Sequence, residues 1–171
     1  MSGTDPGEVG GSVEPVDSDV DLRVPGQLAE TAGHRLWHVL AVISAGGAVG
    51  ATARYGAARL WPTTDGAFPW TTFAVNVLGC GLIGVLMVLV AEGGWSAHPL
   101  LRPFLGVGVL GGFTTFSTYT LDFLLLVRRG EAPAALGYAA VTLVSAMAAV
   151  WLTATVTRRV VERAVGRVRV P

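Results

Sequence analysis

The sequence predicts an all-α integral membrane protein with four transmembrane helices, and three observations carry that reading. Hydrophobic residues make up 51% of the 171 positions and charged residues only 14%. The mean hydropathy is +0.56, as in chains whose solvent is lipid. Four apolar stretches reach the length of about 20 residues that a bilayer requires. Trp37, Trp61, Trp70 and Trp95 fall near the ends of those stretches, where interfacial aromatic belts form. A soluble helical bundle has no use for such a belt.

The chain divides into an acidic tail (residues 1–35), a membrane domain (36–157) and a basic tail (158–171). Residues 1–35 carry seven acids against Arg23 and Arg35, a net charge of −5, and the remainder carries +5. The first 33 residues are rich in Gly, Pro, Asp, Glu and Ser without apolar periodicity, so they read as a disordered tail. That start lacks a basic n-region and an apolar h-region and does not read as a signal peptide. All twelve basic residues are arginine; they suit a membrane surface and make no case for nucleic acid. The one cysteine, Cys80, excludes an intrachain disulfide. His34, His38 and His98 are scattered and form no metal-binding pattern. No nucleophile–base–acid set is visible, so no enzyme is expected.

The first span runs from about Leu36 to Trp61 and contains GGAVGATARY, Gly46 to Tyr55. Gly46 and Gly50 are spaced for close helix packing. Arg54, in the same helix, either snorkels to the interface or finds a partner within the protein. Pro62 to Pro69 is a loop. The second span, Trp70 to Ala91, is uncharged and holds Asn76, with Thr72 one turn earlier on the same face. The Asn76 carboxamide is either a donor in a transport path or one half of an interhelical hydrogen bond. Glu92 to Pro99 is the second loop.

The third span lies within the apolar run Leu100 to Val127, and its middle, GGFTTFSTYT (Gly111 to Thr120), is a poor helix. Thr114, Thr115, Ser117, Thr118, Tyr119 and Thr120 place six hydroxyls in seven positions. In lipid every freed backbone group needs a partner, so a break here must be buried in protein or line a polar path. The stretch is either a broken helix that holds ions or a packing face whose hydroxyls bond back onto their own helix. Arg128-Arg129-Gly130-Glu131 is a turn, and the fourth span runs from about Ala132 to Val156. Tyr138, Thr142 and Ser145 form one polar stripe on it.

Of the acids near these spans, only Asp122 is placed at membrane depth. Uncharged donors without paired carboxylates suit a small anion, and the positive edges of Phe113, Phe116 and Tyr119 add to them. Four helices are few for an enclosed pore, so an oligomer is expected.

Three blocks now give a specific likeness: GGAVGATARY (Gly46–Tyr55), TFAVNVLGCGLIG (Thr72–Gly84) and GGFTTFSTY (Gly111–Tyr119). In sequence, order and spacing the chain resembles the Fluc (CrcB) family of small fluoride channels over roughly residues 38 to 156. The resemblance implies an antiparallel dimer of four-helix subunits with two fluoride pathways, in the cell membrane. It implies an ion pathway at Asn76, Phe116 and Tyr119, with polar neighbours Thr72, Ser117, Thr118 and Thr120. Tyr138 and Ser145, with Thr142 between them, resemble the polar side of the family's last helix. It further implies a structural Na+ held by the backbone carbonyls of Gly111 and Thr114. Tyr119 stands where the family usually has a second Phe, and Asp122 where Glu is usual.

The expected function is therefore passive fluoride export that lowers cytoplasmic fluoride. One rival is a small dual-topology drug transporter, which needs an intramembrane carboxylate that only Asp122 could supply. Another is a non-conducting partner subunit, raised by Tyr119. Four spans put both termini on one side, with Arg35, Arg102 and five tail arginines against Arg59, Arg128 and Arg129 opposite, so the termini are expected in the cytoplasm. That bias points to one preferred orientation, so an antiparallel dimer is expected to be a heterodimer with an oppositely oriented homologous chain, with a dual-topology homodimer as the alternative.

Overall fold

The computed structural model describes residues 34–64, 67–91 and 100–168. The acidic tail up to Gly33, the Glu92–Pro99 loop with Trp95 and His98, Asp65 and Arg169 lie outside the described residues. Contacts divide the chain after His38. Of the first part only the opening turn of the first helix is described, and the architecture below is that of Val39 onward.

Four helical segments are long and apolar enough to cross a membrane: Leu36–Leu60, Trp70–Val90, Pro103–Arg128 and Ala132–Ala164. The first lies in α1 (His34–Leu60) and the second in α2 (Trp70–Ala91). The third is composite. A π-helical segment α3 (Pro103–Leu110) passes into one turn, α4 (Gly111–Phe113). The backbone then leaves the helix at Thr114 (φ −72°, ψ 159°) and α5 (Ser117–Arg128) resumes it. The fourth is α6 (Ala132–Val168). Among the described residues there is no strand.

Small residues set how closely these spans pack. A Cβ on Gly46 would lie 2.5 Å from the Phe104 carbonyl oxygen, and one on Gly108 would lie 2.9 Å from Gly46 Cα. A Cβ on Gly50 would lie 2.7 Å from the Phe113 nitrogen. The backbones of α1 and the α3–α4 segment thus touch directly, as small-xxx-small faces allow. Gly50→Val is expected to prevent this contact, because backbone atoms cannot yield as side chains do and overpacking costs about 1–3 kcal/mol or more. Loss of the monodisperse peak on size exclusion in detergent would register it; a Gly50→Val chain as well folded as wild type would contradict it.

α2 packs along α6. Thr153 Oγ1 donates to the Gly81 carbonyl at 2.8 Å, and Gly84 lies against Val150 and Thr153. At the other end of this pair Leu126, Ala135 and Tyr138 form a buried cluster covered by Phe68, Phe73, Tyr119 and Phe123. Phe68 meets Tyr138 edge-on at 5.4 Å. The Thr71 hydroxyl donates to the Trp61 carbonyl and closes the α1–α2 connection. The turn into α6 is a Schellman motif: Gly130 has φ 80°, its N–H reaches Val127 O, and Glu131 N–H reaches Leu126 O.

α6 differs from its sequence reading at the far end. The span was expected to end near Val156, yet the helix continues to Val168 through Arg158, Arg159 and Arg163. Arginine, valine, glutamate and alanine all continue a helix acceptably. Charge ends a membrane crossing without ending the helix.

Candidate functional site

The break in the third span is held by bonds made to it from outside. Phe116, the residue before α5, offers no side-chain cap, and the Thr115 hydroxyl supplies it by accepting the Thr118 N–H at 3.1 Å. Asn76 on α2 grips the same residue from across the chain. Its Nδ2 donates to Thr115 O at 3.0 Å and its Oδ1 accepts Thr115 N–H at 2.8 Å. A carboxamide is a donor and an acceptor on one planar group, so it can replace both backbone bonds that Thr115 gives up by leaving the helix. Of the two roles open to Asn76 from sequence, the interhelical bond is therefore present, and one Nδ2 hydrogen remains beyond it.

Arg54 resolves similarly. Its Nε donates to the Gly112 carbonyl at 3.1 Å, so the guanidinium has a partner at the break. The hydroxyls also bond locally: Thr114 Oγ1 to Leu110 O and Thr120 Oγ1 to Phe116 O, at 3.0 and 2.9 Å. Both alternatives for this stretch thus coexist, a break over residues 114–116 and back-bonded hydroxyls on either side.

Two cavities meet at Thr115. The first, of about 440 Å³, is lined by Asn76, Phe116, Tyr119, Thr142, Thr114 and Cys80 together with Thr115 and apolar residues. Thr142 is 5% exposed, and its buried Oγ1 is without a hydrogen-bond partner among the described residues. Tyr119 donates to the Ala139 carbonyl at 3.3 Å and lies 5.8 Å from the Phe116 ring and 5.3 Å from the Tyr138 ring. The second cavity, of about 260 Å³, is lined by Arg54, Tyr55, Thr71, Thr72, Thr115 and Thr118 with small apolar residues. The two cavities share Thr115 in their linings, with Arg54 on the second and Thr142 on the first.

Of the residues expected from sequence to form the pathway, Asn76, Phe116 and Tyr119 come together in the first cavity, and Thr72 and Thr118 in the second. Ser117, Thr120, Tyr138 and Ser145 line neither. Tyr138 is buried and its hydroxyl donates to Asp122 Oδ2 at 3.4 Å, with the Thr72 side chain near that carboxylate. Asp122 therefore sits level with the first turn of α2, near a span end. The sequence reading did not single out Thr115 as the shared wall or Cys80 as a lining residue. No local pattern announces either.

Gly111 and Thr114 were expected to offer carbonyls to sodium. Among the described residues, the bonds that reach across to the break end on the Gly112 and Thr115 carbonyls, and neither Gly111 O nor Thr114 O is among those acceptors. The donor type fits a hard cation. No group of three or more His, Cys, Asp or Glu able to hold a metal occurs among the described residues, so carbonyl oxygens are the ligands on offer.

This architecture defines a multi-pass membrane protein whose third span is interrupted where it borders a donor-lined cavity. The chain belongs to the family described as CrcB-like protein, Camphor Resistance (CrcB), whose model matches residues 41–154. It is 59% identical over 111 residues to "Fluoride-specific ion channel FluC 2" of Streptomyces avermitilis, covering 63% of this chain and 70% of that protein. It is 54% identical over 124 residues to "Fluoride-specific ion channel FluC 1" of Streptomyces coelicolor, covering 72% and 80%. With "Fluoride-specific ion channel FluC 2" of Thermobifida fusca the identity is 48% over 134 residues, covering 77% and 96%.

Proposed function

We propose that this chain is a subunit of a fluoride-selective channel through which fluoride leaves the cell passively. The observation that carries this reading is the unpartnered Thr142 hydroxyl in the cavity shared with Asn76 and the Phe116 ring. A buried hydroxyl without a partner costs about 1–3 kcal/mol, a cost that a passing anion able to accept its hydrogen removes. Fluoride is the smallest halide and the most strongly hydrated. It crosses only where donors replace its water, and the cavity supplies hydroxyls, an amide N–H and aromatic edges.

Arg54 gathers the anion in the second cavity, since one of its five donors is fixed on Gly112 and its charge remains. Thr115 and Asn76 form the passage between the cavities, and Phe116, Tyr119 and Thr142 line the way beyond. Asp122 is engaged by Tyr138 at a span end, a poor position for a proton-coupling carboxylate, and so the drug-transporter reading is not favoured.

A second copy completes the path. Phe116 is 79% exposed in the single chain, and Ser117, Thr120 and Gly111 are exposed beside it. Hydroxyls and broken backbone at mid-span do not face lipid, so this face is covered by an antiparallel partner. A sodium ion on the Gly111 and Thr114 carbonyls of both chains supplies positive charge that ties the subunits together. Exchanging sodium for an organic cation during purification is expected to shift the dimer mass to monomer; a dimer that survives exhaustive exchange removes the sodium.

The test of the whole reading is fluoride efflux from liposomes that hold only this protein, against chloride efflux from the same vesicles. Fast fluoride loss with chloride retained supports it, and equal rates for both refute it. The same assay tests Tyr119. Its hydroxyl is tied to the Ala139 carbonyl and the side chain still lines the cavity, so the wild-type homodimer is expected to conduct. Tyr119→Phe is expected to change the rate by less than about tenfold, since one long neutral hydrogen bond is worth about 1 kcal/mol. A silent wild type revived by Tyr119→Phe would instead mark the chain as a non-conducting partner.

A further inference from the structure

We propose that the end of α6 is a docking surface for the headgroups of anionic phospholipids in the membrane that the chain spans. The placement follows from the register of α2 against α6. The two helices run parallel, matched at one end by the Phe68–Tyr138 ring contact and further along by Gly84 against Val150 and Thr153. α2 is an uncharged helix of 22 residues, about 33 Å long at 1.5 Å per residue, against a hydrocarbon core of about 30 Å. Its last residue, Ala91, therefore marks the membrane boundary. Ala91 is seven residues beyond Gly84, and the residue seven beyond Thr153 is Val160. Arg158 and Arg159 thus stand at the boundary, and Arg163 about one turn further out, within the headgroup layer.

The side chains are sorted as such a position requires. At about 100° per residue, Arg158, Arg159, Glu162 and Arg163 fall within an arc of roughly 140°, and Val160, Val161 and Ala164 occupy the opposite side. All four charged residues are exposed, and Val160 is exposed on its own side. Arg158 already has an interaction of its own. Arg159 and Arg163 still outnumber the one acid among the described residues of this stretch, and on a helix that leaves the bilayer at this level they match phosphate-bearing lipids of negative charge. Guanidinium groups suit phosphate in both charge and geometry. The aliphatic stem of Arg159 lets its head reach the phosphates from the boundary. Each basic residue near an anionic surface is worth about a fivefold gain in binding, so Arg159 and Arg163 alone exceed the single glutamate among the described residues of this stretch. This surface is separate from both cavities.

The experiment uses the full-length protein in mixed phosphatidylcholine–phosphatidylglycerol nanodiscs or detergent micelles. Phosphatidylglycerol retained per protein is counted by native mass spectrometry at low and high salt. Wild type is expected to retain it in preference to phosphatidylcholine, with retention falling at high salt. The triple variant Arg158→Gln, Arg159→Gln, Arg163→Gln is expected to lose at least about tenfold in that preference. The matching triple lysine variant is expected to keep most of it, which separates charge from folding; near-equal helical circular dichroism of the three proteins checks the latter. Equal phosphatidylglycerol preference in wild type and the glutamine variant overturns the proposal. So does a loss that the lysine variant fails to restore. Either result would hand the surface to another occupant, such as an acidic polypeptide.

Discussion

Asn76→Asp is expected to abolish fluoride efflux, by at least about 100-fold, while the protein still inserts and purifies. Two effects act together. Aspartate keeps an acceptor for the Thr115 N–H but loses the donor to Thr115 O, so a carboxylate oxygen then faces a carbonyl oxygen about where the 3.0 Å bond had been. The break loses the clamp that fixes its shape. The new charge also lies on the wall of the anion path. At about 5 Å and an effective dielectric of 20, two like charges repel by about 3 kcal/mol, and 1.4 kcal/mol is already tenfold in rate. Asn76→Gln keeps both polar functions and adds one methylene, so its cost is misplacement alone and is expected to be nearer tenfold. Liposome efflux of the two variants, side by side, checks the order. If the Asn76→Asp protein conducts at the wild-type rate, Asn76 is neither clamp nor lining.

Much of the fold was legible because lipid imposes a simple grammar. α2 starts and ends where the sequence places it, since Pro69 and Glu92 bracket 22 residues without a charge. The interruption in the third span was legible for a local reason: two glycines are followed by a run of hydroxyls, none of which favours a helix interior. The π-helical stretch before it carried no comparable mark. Nor did the partners of the break. Asn76 and Thr115 are 39 positions apart, and Arg54 and Gly112 are 58 apart. Pairs of that kind depend on how whole spans lie against one another. A sequence shows that Asn76 and Arg54 must find partners, because lipid supplies none, but it does not show which carbonyls they find. The α6 extension was hidden for the opposite reason. Its arginines are conspicuous and read as a tail, yet they interrupt hydrophobicity and leave helix propensity intact.

The same limit applies to the stripe on α6, and Thr142→Val turns it into an experiment. Period alone puts Tyr138, Thr142 and Ser145 on one side, and only packing distinguishes them. Tyr138 is spent on Asp122, Ser145 lies outside both cavities, and Thr142 borders the first with its hydroxyl unpartnered. A hydroxyl kept for the fold would stabilise it, and its loss would cost about 1 kcal/mol. Among the described residues this one has no bond to lose. Valine has nearly the same shape and removes a buried, unsatisfied polar atom, so the folded protein is expected to be as stable as wild type or more so, by up to about 1 kcal/mol. Fluoride in transit loses a donor at that point, so efflux is expected to fall by about tenfold. Opposite signs for stability and flux would mark a residue that serves the ion alone. Thermal unfolding in detergent and liposome efflux on one preparation give both signs. A valine variant that is less stable and equally conductive would show that the hydroxyl belongs to the fold, and the pathway would then have to pass elsewhere.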